Sequence, residues 1–366
     1  MTLTSDVRLE PAAWDPCVGA ADRDRRIRAL VVVNIVLAAW YFSWLLQPSR
    51  IGHPVLYALL VVAELFNLAQ AAGFWWTCSS ARTRRPRGPA MPVAVDVLVP
   101  TYNEPVDIVE PTLRAAKRIR GHDVSVHLLD DGHRDEMADL AGRVGANYIT
   151  RSERTGAKAG AINNALARTD APYVAVFDCD HIPDERFLEC TLEGFGDEGV
   201  AIVQTPQYYA NAHRGVAAAS WAQQALFFGP IARGKDGADA MFCCGTNMVF
   251  RRAALAEVGG FPIVSETEDF ELSLRLAEAG WTTTYVAEVL ARGLAPEDMA
   301  SYTTQQFRWA RGCVSALPRI VRARLPARTK LHYALSSMFF LSGWTLLIYM
   351  LMPVLRLAVG VQPIDA

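Results

Sequence analysis

The 366-residue chain carries 36 Lys and Arg against 38 Asp and Glu, and about half of its residues are apolar. That length holds one catalytic domain of ordinary size with room for membrane segments, and the small net charge removes any global pull toward nucleic acid. Its seven cysteines (Cys17, Cys78, Cys179, Cys190, Cys243, Cys244 and Cys313) form no CxxC pair and no zinc spacing, so neither a structural zinc site nor a disulfide framework is expected.

In chain order, a polar leader over residues 1–28 precedes two apolar runs, 29–47 and 55–76, the second interrupted only by Glu64, Asn67 and Gln70; a third run occupies 333–355. Each is close to or beyond the roughly 20 residues a helix needs to cross a bilayer. Trp40, Tyr41, Trp44, Trp75, Trp76, Trp344 and Tyr349 favour lipid surroundings. A cleaved signal peptide is not expected, because the first run follows a long polar leader and is soon followed by a second span. Arg23, Arg25, Arg26 and Arg28 before the first span and Arg82, Arg84, Arg85 and Arg87 after the second outweigh Arg50 between them. The positive-inside bias therefore makes residues 29–80 a hairpin in the plasma (inner) membrane, with the domain that follows on the cytoplasmic side. Glu64, Asn67 and Gln70 are spaced i, i+3, i+6 and are expected to face protein or a water-filled path.

The Arg- and Pro-rich stretch 82–92 reads as a hinge. Between residues 91 and 295, strands are predicted at 94–100, 124–129, 173–177, 200–204 and 282–286. Helices are predicted near 106–119, 134–144, 157–167 and 270–279. Such alternation specifies an α/β domain with a Rossmann-like, mostly parallel sheet covered on both faces. Ligands bind outside the carboxyl ends of such strands. Asn103/Glu104, Asp130/Asp131 and Asp178/Asp180 all lie at these ends.

Asp178-Cys179-Asp180 follows a buried strand, and residues i and i+2 share a face. Oxygen ligands of this kind suit Mg²⁺ or Mn²⁺ bound together with substrate phosphates, where the ion acts as a Lewis acid on a diphosphate leaving group. Asp130-Asp131-Gly132 is either a plain Asp-Gly turn or a pair of acceptors for a base or ribose. Lys158, within Gly156-Ala157-Lys158-Ala159-Gly160, is either a phosphate partner or a solvated helix-start residue. The motif lacks the GxxxxGK[ST] spacing, and no GxGxxG follows the first strand. Ser265-Glu266-Thr267-Glu268 fits a capping box, with Asp269 in the first helical turn, where it is either a dipole partner or a general base. A last helix is predicted from about Pro296 to before Pro318, with Glu297 and Asp298 in its first turn. Gln305, Arg308 and Trp309 share one face of it, offering a fork for phosphate and a flat surface for a sugar.

The ordered set Thr101-Tyr102-Asn103-Glu104, Asp130-Asp131-Gly132, Lys158-Ala159-Gly160, Asp178-Cys179-Asp180, Gln204-Thr205-Pro206, Cys244-Gly245-Thr246, Thr267-Glu268-Asp269 and Gln305…Arg308-Trp309 resembles the processive family-2 glycosyltransferases, most closely the catalytic subunits of bacterial cellulose synthases. The resemblance covers residues 93–318 and the flanking spans. It implies a GT-A fold, a UDP-sugar donor, inversion at the anomeric carbon and transfer to the non-reducing end of a polysaccharide. It assigns Thr101, Asn103, Glu104, Asp130, Asp131, Lys158, Asp178, Gln305 and Arg308 to the nucleotide-sugar, and Asp178 and Asp180 to the metal. Asp269 is assigned as the base, and Cys244, Gly245, Thr246, Glu268 and Trp309 to the acceptor. UDP-glucose is the expected donor. UDP-N-acetylglucosamine polymerisation, single addition to a lipid carrier and a non-catalytic donor-binding subunit are the competing readings.

Phe242-Cys243-Cys244-Gly245-Thr246 departs from the family's usual Phe-Phe-Cys-Gly-Ser, which loosens the assignment of the polymer. Residues 296–332 are expected at the membrane surface, the basic stretch 319–330 against anionic headgroups, and 333–358 as the third span. Three spans are fewer than an enclosed polymer path needs, so export is expected to use helices from a longer chain or another subunit.

Overall fold

The computed structural model describes residues 20–81, 88 and 92–365. Cys17, the basic residues Arg82, Arg84, Arg85 and Arg87, and most of the expected 82–92 hinge lie outside the described residues. Two long helices come first, α1 (Ala20–Leu45) and α2 (Pro54–Ser79). They are followed by β1 (Ala94–Thr101), α3 (Val106–Ala116), β2 (Asp123–Asp130), α4 (Asp135–Val144), β3 (Asn147–Ile149), α5 (Ala157–Leu166), β4 (Tyr173–Val176), β5 (Ile182–Pro183) and α6 (Phe187–Leu192). Then come β6 (Val200–Gln204), β7 (Tyr208–Tyr209), α7 (Gly215–Leu226), α8 (Ala232–Gly237), β8 (Met248–Arg251), α9 (Arg252–Glu257), α10 (Glu268–Glu278), β9 (Thr282–Tyr285) and β10 (Ala291–Gly293). The chain closes with α11 (Met299–Ser315), α12 (Leu317–Arg322), α13 (Ala327–Met338) and α14 (Gly343–Val359).

The main sheet has the order β3-β2-β1-β4-β8-β6-β9. Strand alternation sends Val95, Val97 and Val99 of β1 to one face, against α3, α4 and α6, and Leu98 to the other, against α5, α9 and α10. All five predicted strands are present, and the sheet is parallel except at β8, which runs antiparallel to both β4 and β6. β8 escaped the sequence reading because four residues behind a Gly-Thr-Asn turn carry too little pattern. A second sheet, β5-β10-β7, joins the loop after β4 to the loop after β6.

Three described helices are long and apolar enough to cross a membrane: Asp24–Leu45, Pro54–Ser79 and Ala327–Val359. The expected third span is broken by a short 3-10 turn (Phe339–Ser342) between α13 and α14. After α14 the chain returns to the α1–α2 loop, where Gly52 and His53 N–H groups donate to Pro363 and Gln362 carbonyls at 3.1 and 2.9 Å. Glu64 and Asn67 point inward as expected. Tyr41 donates to Glu64 at 3.1 Å, and Asn67 donates to the Tyr349 hydroxyl at 2.7 Å, so one polar cluster links α1, α2 and α14. Gln70 Nε2 is buried with no partner among the described residues.

The domain is bolted to these helices by α8. A Cβ on Gly234 would stand 2.0 Å from the Thr77 carbonyl oxygen of α2, so only glycine permits this approach. Lys235 donates to the His332 carbonyl of α13 at 2.9 Å, and Arg233 pairs with Asp24 of α1 at 2.8 Å.

Candidate active site

The expected residues converge at the carboxyl ends of β1, β2 and β4. After β1, the buried Thr101 hydroxyl and the Tyr102 N–H both donate to Glu104, each at 2.8 Å. Burial opposes ionisation of Glu104, but these bonds outweigh it and hold the carboxyl below its ordinary range. Arg134 donates to the Glu104 carbonyl at 2.6 Å and to Thr101 at 3.1 Å. Asn103 is exposed beside them.

After β2, Asp130 is fully buried and accepts from the Gly132 N–H (2.8 Å), the Arg134 N–H (2.7 Å) and the Tyr148 hydroxyl (3.0 Å). The Asp-Gly turn reading therefore describes Asp130, which shapes the loop from inside. Asp131 receives the Arg151 fork at 2.8 and 2.6 Å. Arg151 also donates to the Thr155 and Ala157 carbonyls, fixing the start of α5. Gly160 is required there, because a Cβ would stand 2.0 Å from the Thr155 oxygen.

α5 delivers Lys158 into the cleft, where its ammonium donates to Asp178 and, at 2.6 Å, to the Gly245 carbonyl. Burial works against that charge, yet Asp178, Glu268 and Asp269 together raise the Lys158 pKa. Lys158 is thus at the electrostatic centre of the site, and the reading as a solvated helix-start residue is set aside. Asp178 and Asp180 flank a turn closed by the His181 N–H on the Asp178 carbonyl at 2.9 Å. Ligand atoms of Asp178, Asp180 and His181 lie within 4.8 Å of one another, a carboxylate-rich donor set that fits a hard divalent cation.

The loop 242–247 is threaded between β6 and α10. Gln204 accepts from the Cys244 N–H and donates to the Thr246 carbonyl, both at 2.8 Å, while the Thr246 hydroxyl accepts from the Asp178 N–H at 2.8 Å. Gly245 has φ +85°, and a Cβ there would stand 3.3 Å from Asp269 Oδ2. Asp269 sits in the first turn of α10 as expected, but the capping box does not form. The helix starts at Glu268 with Thr267 as N-cap and no side-chain cap bond; Ser265 accepts from the Thr267 N–H at 3.3 Å instead. Burial first, then the adjacent Glu268 carboxylate, push the Asp269 pKa up to about 7.

α11 begins three residues later than the predicted start at Pro296. Asp298 is the N-cap, accepting from the Ser301 N–H at 2.8 Å, and Glu297 accepts from Asn211 at 3.1 Å outside the helix. Gln305 lies beside Tyr209, a buried phenol whose pKa is raised first by burial and then by the Asp180 and Asp178 charges, while neighbouring Gln224 and Gln305 act in the opposite direction. Gln305 Oε1 is buried with no partner among the described residues. Arg308 is exposed and Trp309 half-buried on the same helix. His181, Tyr209, Gln224, Arg134 and Arg151 were missed by sequence reasoning. His181 alone carried a local signal, standing directly behind the Asp-X-Asp.

The family model described as glycosyl transferase family group 2 matches residues 173–363. The chain is 34% identical over 334 residues to a UDP-forming cellulose synthase catalytic subunit of Xanthomonas axonopodis pv. citri (strain 306), covering 85% of this chain and 45% of that protein. It is 33% identical over 365 residues to the subunit of the same description from Pseudomonas fluorescens (strain SBW25), covering 92% and 48%. The chain therefore spans about half the length of these relatives. Among solved structures, a mannosyltransferase of Pyrobaculum calidifontis in complex with GDP-mannose and Mn²⁺ superposes with a TM-score of 0.70 at 20% identity, covering 84% of this chain and 88% of that one. The fold is thus of the GT-A type expected from the sequence. With a family match over just more than half its length, the chain belongs to glycosyl transferase family group 2.

Proposed function

We propose that this chain transfers glucose from UDP-glucose, with inversion, to the non-reducing end of a β-glucan. The observation that carries the reading is the meeting of Lys158, Asp178, Gly245 and Asp269 in one cleft. A donor-diphosphate site and an acceptor-hydroxyl site then share a wall. UDP-glucose is favoured over other donors by the UDP-forming cellulose synthase subunits among the relatives.

In this reading Thr101, Asn103 and Glu104 line the nucleotide wall that Asp130 and Asp131 shape from behind. Lys158, Gln305 and Arg308 hold the diphosphate. Mg²⁺ or Mn²⁺ on Asp178 and Asp180 would neutralise charge on the departing UDP. Cys244, Gly245, Thr246, Glu268 and Trp309 seat the acceptor sugar, and Asp269 takes the proton of its attacking hydroxyl. A base poised near neutral pH suits that role. The three long apolar helices lie in a plasma membrane with the catalytic domain on the cytoplasmic side, where the donor is made, and the basic stretch 319–330 rests on anionic headgroups.

The test is incubation of membranes bearing the chain with radiolabelled UDP-glucose and Mg²⁺. Acid-stable polymer sensitive to β-glucanase is expected. Absence of transfer from UDP-glucose alongside transfer from another UDP-sugar would refute the donor assignment, and absence from every UDP-sugar would refute the activity.

A further inference from the structure

We infer that His181 is a positioning residue that sets the orientation of Asp180, resting on the reading of Asp178 and Asp180 as the cation-binding pair. The imidazole Nδ1 stands 2.8 Å from Asp180 Oδ1. A carboxylate only accepts, so Nδ1 carries the proton and donates. That bond uses one carboxylate oxygen and leaves the other free for an ion. It is the type of outer contact that fixes a ligating carboxylate and is usually worth a factor of about 10 to 100 in metal affinity.

Three further contacts hold the ring itself. Its backbone N–H closes the 178–181 turn at 2.9 Å, so the imidazole is anchored to the same turn that carries both carboxylates. β5 begins at the next residue and is clamped by β10 through the Ile182–Arg292 pair. The ring face lies flat on Gly293 of β10, where a Cβ would stand 2.3 Å from Cε1, 2.4 Å from Nε2 and 2.6 Å from Nδ1. All three of these atoms belong to the Nδ1–Cε1–Nε2 edge, so the missing side chain would stand over that edge of the ring face. Gly293 has no positive φ to explain the glycine; close approach of the imidazole does explain it. Nε2 is buried with no partner among the described residues, as fits a ring that works through Nδ1 alone. β10 also pairs with β7, Gly293 against Tyr209, so the small sheet ties the Asp178–Asp180 turn to the phenol that reaches Gln305.

The experiment measures Mn²⁺ affinity of the detergent-purified full chain by electron paramagnetic resonance, with Asp180→Ala defining the signal that belongs to this site. His181→Ala should weaken Mn²⁺ binding by about 10- to 100-fold. His181→Asn should recover most of the loss, because its amide N–H occupies the place of Nδ1–H, whereas His181→Gln, which mimics Nε2, should not. Gly293→Ala, leaving His181 intact but pushing the ring off its seat, should weaken binding in the same direction. Wild-type affinity in both His181→Ala and Gly293→Ala would overturn the positioning role. So would direct nitrogen hyperfine coupling to Mn²⁺ in protein labelled with ¹⁵N-histidine, which would make His181 a ligand. Absence of any Asp180-dependent Mn²⁺ signal in the wild-type chain would instead refute the cation-pair reading and this role with it.

Discussion

Substituting Glu268 by Gln is expected to move the acidic limb of the pH–rate profile to lower pH. Burial and then the Glu268 carboxylate push the Asp269 pKa up to about 7. A base that must be ionised becomes competent as pH rises through that value. The two residues are consecutive at the start of α10. For neighbouring carboxylates at an effective dielectric of ~20, the repulsion is on the order of 2 kcal/mol, or roughly 1.5 pH units. Glu268 is half-buried, so solvent screening trims this to about 1 unit. Burial, the larger cause, survives the substitution, and the limb should remain above the ordinary carboxylate range. The assay is kcat/KM for UDP-glucose on membranes at pH values on both sides of neutrality. The limb's position is read separately from its height, because Glu268 is also assigned to the acceptor and its loss lowers the rate at every pH. A limb that fails to move by at least a few tenths of a unit would refute the electrostatic link between these two carboxylates.

Asp269→Asn should leave metal-dependent UDP binding nearly intact while lowering transfer by at least about 100-fold; near wild-type turnover would pass the base role to Glu268. Gly245→Ala forces a Cβ into positive φ and to 3.3 Å from Asp269 Oδ2, so kcat should fall about 10-fold or more with UDP binding retained, and an unchanged kcat would show that the loop yields freely. Asp96 is held below the carboxylate range although burial opposes it, because His127 (2.9 Å) and the Ala171 N–H (3.0 Å) donate to it; Arg252 donates as well, at 2.7 Å. Its contribution is present above the unfolded carboxylate pKa of about 4 and is lost as pH falls through the lower folded value. Asp96→Asn should therefore destabilise by roughly 2–4 kcal/mol at neutral pH, read as a lower Tm in detergent, with the difference from wild type shrinking in acid; an unchanged Tm would discount the cluster. For topology, Cys190 is a poor reporter because burial, then Glu288, push its thiol up to about 11. A cysteine at the exposed Glu198 position should stay unlabelled by an impermeant maleimide in intact cells and react after lysis, and labelling of intact cells would reverse the proposed orientation.

The sequence by itself determined the strands β1, β2, β4, β6 and β9 and the helices α3, α4, α5 and α10, because each is a continuous run whose apolar periodicity is a local property. It also placed Asp178 and Asp180 just behind β4, Asp269 in the first turn of α10 and Gln305, Arg308 and Trp309 together on α11, since these placements rest on spacing within one element. What only the tertiary structure decided is which groups meet. β8 is inserted antiparallel into an otherwise parallel sheet by a four-residue strand with no periodicity to read. Asp130 is turned inward onto Gly132, Arg134 and Tyr148, a choice between turn and ligand that composition leaves open. The capping box at Ser265 loses because the chain there turns at Thr267. Tyr209 meets Gln305, and His181 meets Gly293, through the small β5-β10-β7 sheet, whose strands are two or three residues long. Such strands have no pattern of their own. Their pairing is set by packing between segments about a hundred residues apart, and no local rule reaches that far.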